Sequence, residues 1–138
     1  MALQVTVEQV EGSTPITIVS LEGELDAANY ERVIDLVRQL HDDGANRLLL
    51  DLEKLEFISS SGLVAVHSSL RLMAGEAPPD LEHGWEALRA IQDESDRGPQ
   101  GNLRICGARP AVWKVIDRSG LGGVIPADPD RAAALAAF

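Results

Sequence analysis

The stretch Asp51–Leu63, DLEKLEFISSSGL, decides how the rest of the chain is read. It begins at the end of an apolar run, Leu48-Leu49-Leu50-Asp51-Leu52. A run this uniformly apolar reads as a strand buried on both faces, the kind found in parallel sheets. The polar link Glu53-Lys54-Leu55-Glu56 is expected to lead out of that strand to Phe57-Ile58. Three serines, Ser59, Ser60 and Ser61, then precede Gly62 and a helix-period pattern. Serine oxygens accept from the unpaired amides of a helix start, so all three suit capping. A hydroxyl there is also exposed, and a phosphate added to it would sit at the positive end of a helix dipole. Read from the residues alone, the serines are caps or a switch.

Working outward toward the N-terminus, Leu3, Val5 and Val7 alternate with Gln4, Thr6 and Glu8, which predicts a half-exposed strand over 3–10. Glu11-Gly12-Ser13-Thr14-Pro15 punctuates a hairpin, and Ile16–Leu21 is a second β-rich run. Glu22-Gly23-Glu24-Leu25-Asp26 is expected to leave the sheet, with Asp26 capping the helix that follows. From Tyr30 the apolar residues Val33, Ile34, Val37 and Leu40 form a helical stripe, and Gly44 fits the left-handed position after it. Strand, helix and buried strand (Asn46–Leu52) together predict a right-handed crossover and a parallel pair.

Toward the C-terminus, Leu63, Val66, Leu70 and Met73 mark a second helix on the same sheet. Residues 76–101 carry seven acidic and two basic side chains, half of the excess negative charge. Within them Leu81, Trp85, Leu88 and Ile91 predict a short amphipathic helix over about 80–93, which Trp85 anchors to its own domain, the favoured reading, or to a partner. Leu103–Gly107 resumes the sheet, and Pro110 opens a helix closed by Ser119-Gly120. Val124-Ile125 is predicted as a short strand, and Asp128-Pro129 as the cap of an alanine-rich helix running to Phe138. The pattern is α/β: one domain over 1–138, interrupted by the acidic insertion at about 76–101.

Composition narrows the function classes. The chain has 138 residues, enough for one well-filled core, and 45% of them are apolar. Its 12 basic and 22 acidic residues leave a net charge of −10, which argues against nucleic-acid and anionic-membrane binding. No apolar run approaches the ~20 residues of a membrane span, and the first ten residues lack the marks of a signal peptide. The single Cys106 excludes an internal disulfide framework and suits a cytoplasmic location. His41, His67 and His83 have no metal-ligand spacing, and are read as structural or solvent-facing. No Gly-x-Ser-x-Gly surrounds the serines and no Gly-rich loop ends in Lys-Ser/Thr, so neither an enzyme nor a bound cofactor is expected.

GELDAANYERVIDL, LLLDLEKLEFISSSGLVAV and LRICGARPAVWKVIDRSGL, in that order, resemble the STAS domain in its branch of anti-sigma factor antagonists. The resemblance implies a small mixed sheet of four to five strands with helices packed mainly on one face. It also implies a regulator that binds an anti-sigma factor with serine kinase activity and is switched off when its loop is phosphorylated. A phosphatase that reverses the modification is a further implied partner. Carried over by position, Ser61, directly before Gly62, is the acceptor and Ser60 the alternative. Asp26, Ser59, Ser60, Gly62 and Leu63 form the implied partner surface. Two departures stand out: Ser59 replaces the family's usual Asp, and the 76–101 segment is additional. The competing reading is a STAS subunit of a transporter-associated or signalling scaffold whose serines are never modified.

Overall fold

The computed structural model describes residues 3–11, 15–75 and 102–138. The insertion and the helix read within it therefore lie outside the described residues. Five strands form one sheet in the order β1-β2-β3-β4-β5: Leu3–Val10, Ile16–Leu25, Leu48–Ile58, Leu103–Cys106 and Ala127–Asp128. β1 and β2 are antiparallel, from Leu3↔Gly23 to Val10↔Ile16, and the remaining pairs are parallel. β3 and β4 are hydrogen-bonded neighbours, so the residues on either side of the acidic segment belong to the same sheet.

The uniform apolar run behaves as its composition requires. Leu48, Leu50 and Leu52 enter one core cluster, while Leu49 enters another on the opposite face. Fully burying such side chains stabilises by roughly 1.5–3 kcal/mol each. Three helices pack with the larger cluster: α1 (Tyr30–Asp42), α2 (Ser60–Met73) and α3 (Pro110–Arg118). A fourth, α4 (Arg131–Ala137), sets Ala134 against Ile16, Ile18, Leu49 and Cys106 on the other side. Among the described residues no helix is long and apolar enough to cross a membrane.

Several local expectations are corrected. Glu22–Leu25 and Glu53–Ile58 do not leave the sheet; they prolong β2 and β3 to a last pair Leu25↔Ile58. The register shifts twice on the way, between Ser20 and Glu22 and between Gly23 and Glu24. Parallel ladder bonds outweigh the weak β-propensity of Glu, Lys and Gly there. Asp26 is not the cap of α1: Asn29 holds that position, without a side-chain cap bond. Val124 and Ile125 are buried after a 3₁₀ turn at Leu121–Gly123, and the strand comes two residues later. Asp130, rather than Asp128-Pro129, caps α4, its Oδ1 accepting from the Ala133 amide at 2.8 Å. Gly44 does take the left-handed conformation after α1 (φ 103°), and Pro110 sits in the first turn of α3.

Arg131 ties α4 to the sheet. Its guanidinium donates to Asp51 Oδ2 at 2.9 and 3.1 Å, to Ser20 Oγ at 3.1 Å and to Glu8 Oε2 at 3.2 Å. The Asp51 side chain is only 8% exposed, so it depends on that partner. Arg131→Met is expected to lower unfolding free energy in urea by about 2 kcal/mol, because a shielded carboxylate is stranded. The open side of Arg131, 38% exposed, keeps the loss below that of a fully buried pair. A change under about 0.5 kcal/mol would show that the bridge holds nothing.

His67 on α2 is fully buried, and burial, followed by the charge of Arg71, lowers its pKa from 6.5 to about 4. The unfolded chain therefore takes up this proton first as pH falls, and the stabilisation held above pH 6.5 drains away down to about pH 4. The slope in that window is at most about 1.4 kcal/mol per pH unit. His67→Gln should remove it, so the stabilities of wild type and variant should converge or cross between pH 6.5 and 4 in urea titrations. Parallel pH profiles would contradict this.

Candidate functional site

The site is built where β2 and β3 end side by side. Leu25 pairs with Ile58, and the next residue of β3's chain, Ser59, donates its amide to Leu25 O at 2.9 Å. This fixes the loop before α2 against the loop before α1. In open α/β sheets, ligands and partners meet the carboxyl ends of parallel strands.

The three serines do different work. Ser59 is extended (φ −93°, ψ 178°) and is the N-cap of α2, its Oγ accepting the Gly62 amide at 3.2 Å. Its carbonyl takes the first helical bond, from Leu63 N–H at 3.0 Å. The helix therefore begins at Ser60, three residues before Leu63, where the apolar spacing starts. Ser60 is exposed and Ser61 half-buried. Of the two acceptors considered, the alternative, Ser60, offers the more accessible side chain. Leu63 is 6% exposed, so it supports the loop from the core and offers little surface.

Gly62 is required by contact, not by backbone angle. A Cβ there would lie 2.6 Å from Ile58 Cγ1, 2.8 Å from Leu25 O and 3.0 Å from Leu25 Cγ. The start of α2 thus rests directly on the ends of both strands. Across from it, Asp26 Oδ1 accepts from the Ala28 amide at 3.0 Å. Asn29 closes this loop, with its Oδ1 accepting the Asp26 amide at 3.0 Å and its Nδ2 donating to Glu24 O at 2.9 Å. Sequence reasoning gave the loop to Asp26 and missed Asn29, although an Asn one residue before a helical stripe is itself a signal.

Phe57 was also passed over. Leu25 and Ile58 lie in the large core cluster, so Glu24 and Phe57, one step back on each strand, point to the other face. Phe57 is 50% exposed. Two adjacent large apolar residues at a strand end cannot both face one core, and that is the sequence signal.

Burial, then the Asp51 charge, pushes the Cys106 thiol up to about 12, so it stays protonated and unreactive. Among the described residues no His, Cys, Asp and Glu group could hold a metal ion. A groove of about 510 Å³ on the α4 side is lined by Thr6, Glu22, Lys54 and the Arg131–Asp51 bridge. Arg131 donates to Asp51, Ser20 and Glu8 along one wall of this groove.

Against this geometry, comparison with known proteins is consistent. A STAS domain family model matches residues 7–74. The chain is 31% identical over 137 residues to BtrV of Bordetella bronchiseptica, whose name places it among anti-sigma factor antagonists; the match covers 99% of this chain and 95% of the relative. The fold is similar to a crystal structure of an anti-sigma factor antagonist from Mycobacterium paratuberculosis, with TM-score 0.69, 19% identity and coverage of 99% and 93%. It is also similar to the Bacillus cell-fate determinant SpoIIAA in its phosphorylated form, with TM-score 0.53, 19% identity and coverage of 96% and 100%.

Two substitutions test the loop. Gly62→Ala gains about 1 kcal/mol of helix propensity but drives a methyl into backbone and core, which costs typically 1–3 kcal/mol. The backbone contact at 2.8 Å cannot yield as a side-chain tip would, so net destabilisation is expected, read as a lower midpoint in urea. Ser59→Ala should lose about 1 kcal/mol, whereas Ser59→Asp should retain or exceed wild-type stability, since a carboxylate caps and also meets the helix dipole. Equal stability of the Ala and Asp variants would refute the capping role.

Proposed function

Because this chain belongs to the STAS family, with a full-length relative named as an anti-sigma factor antagonist, we propose that it binds an anti-sigma factor and thereby frees a sigma factor. The anti-sigma factor is a serine kinase that phosphorylates the loop and so ends the interaction. A phosphatase restores the binding form. The protein has no catalytic activity of its own, and the ATP of the switch is bound by the kinase. Its site of action is the cytoplasm.

The observation that carries this reading is the exposed Ser60 at the first position of α2, followed by half-buried Ser61 and set beside the Asp26 loop. A phosphate adds about −1.5 to −2 charges. Glu24, Asp26 and Glu56 lie within two residues of Leu25 and Ile58, so acidic side chains flank this edge along both strands. The helix N-terminus offsets part of the added charge, by roughly 0.3–1 kcal/mol at an exposed position. The domain therefore keeps its fold while a partner that docked on a neutral hydroxyl must now desolvate a dianion. Exposure favours Ser60 over Ser61 as acceptor, reversing the order that position before Gly62 suggests.

Affinity capture from the source cells tests this. Wild type, Ser60→Asp and Ser61→Asp serve as baits, with the phosphate mapped on bait peptides. An ATP-binding anti-sigma factor should be retained by wild type and lost with Ser60→Asp, and phosphate should map to Ser60. Capture of the same transporter or scaffold proteins by all three baits, with neither serine modified, would favour the scaffold reading and leave the serines as structural residues.

A further inference from the structure

The face of the sheet opposite α1 and α2 is covered at one end. The apolar contacts of α4 gather at Ile16, Ile18, Leu49 and Cys106. Phe57 lies on this face eight residues beyond Leu49 along β3, opposite a span of six residues of β2, a distance of roughly 20 Å at strand rise. Its ring is half in water, and Val7, at 41%, is the other exposed large apolar side chain among the described residues. Singly exposed apolar residues are ordinary on protein surfaces. Position separates these two. Val7 sits mid-strand on β1, whereas Phe57 is two residues from the Ser59 cap and one step from the Leu25↔Ile58 pair that holds the two loops together.

The charges around Phe57 say what kind of surface would receive it. Glu56 precedes it, and Asp26 lies two residues beyond its cross-strand neighbour on the adjoining strand. An aromatic side chain in an acidic frame complements an apolar pocket rimmed by Arg or Lys. We propose that Phe57 is the apolar anchor by which the anti-sigma factor kinase grips this protein, seated in a basic-rimmed pocket while the kinase reaches the Ser60 hydroxyl around the sheet edge. This rests on the switch reading above and adds to it a residue on a second face. Central aromatic anchors of this kind lose about 30-fold or more in affinity when truncated.

The test is steady-state phosphorylation by the purified ATP-binding protein that the wild-type bait retains. Phe57→Ala should raise KM about 30-fold with kcat nearly unchanged, Phe57→Leu should recover part of that, and Val7→Ala should stay within about twofold of wild type. Because Phe57 is half exposed, the thermal midpoint and circular dichroism of Phe57→Ala should match wild type, which separates lost docking from lost fold. A wild-type KM for a folded Phe57→Ala overturns the anchor and leaves the switch standing. No phosphate on wild type under the same conditions overturns the switch, and the anchor with it.

Discussion

The whole arrangement hangs on how far β2 and β3 stay paired. Their parallel ladder runs from Thr17↔Leu48 to Leu25↔Ile58, through residues that on their own prefer not to be strand. Were the pair to stop at Ser20↔Asp51, the Asp26 and Ser59 loops would have no common anchor. Instead the Ser59 amide reaches Leu25 O, Gly62 settles against the same carbonyl, and α2 starts at a fixed place. The candidate switch is thus positioned by backbone, and side chains only trim it.

That dependence explains which parts could be read from the residues. The Leu48–Leu52 run, the stripe of α1 and the proline of α3 each carry a local signal that tertiary contacts reinforce. The ends of the long strands carry none, because Glu53–Glu56 looks like a link until a neighbouring strand supplies hydrogen bonds. Caps were misplaced for a related reason. Asp26 and Asn29, or Asp128 and Asp130, are equally able to cap, and the choice falls to where the preceding strand releases the chain. At the site, the motif around Ser59–Gly62 was legible as a pattern, but the division of labour among its serines was not. Which serine caps and which faces solvent follows from the helix starting at Ser60.

The two faces of the sheet separate stability from recognition. On one side the large cluster locks α1, α2 and α3 to the strands, leaving α2 almost without exposed surface beyond its first turn. On the other, Arg131 secures α4 through one shielded carboxylate, and the far end of that face stays open with Phe57 on it. Ser59 in place of aspartate is compatible with this division. It keeps the cap through a neutral oxygen, so a phosphate next to it meets one negative charge fewer than it would beside a carboxylate.

The central claim is that modification of the first turn of α2 changes a surface and leaves the fold alone. Titrating the purified partner against unmodified and singly phosphorylated protein, with amide NMR spectra of both forms, tests it most directly. The account predicts at least about 30-fold weaker binding after phosphorylation, with spectral changes confined to residues near Asp26–Tyr30 and Phe57–Val64. Equal affinities, or shifts spread through β1 and α3, would contradict it.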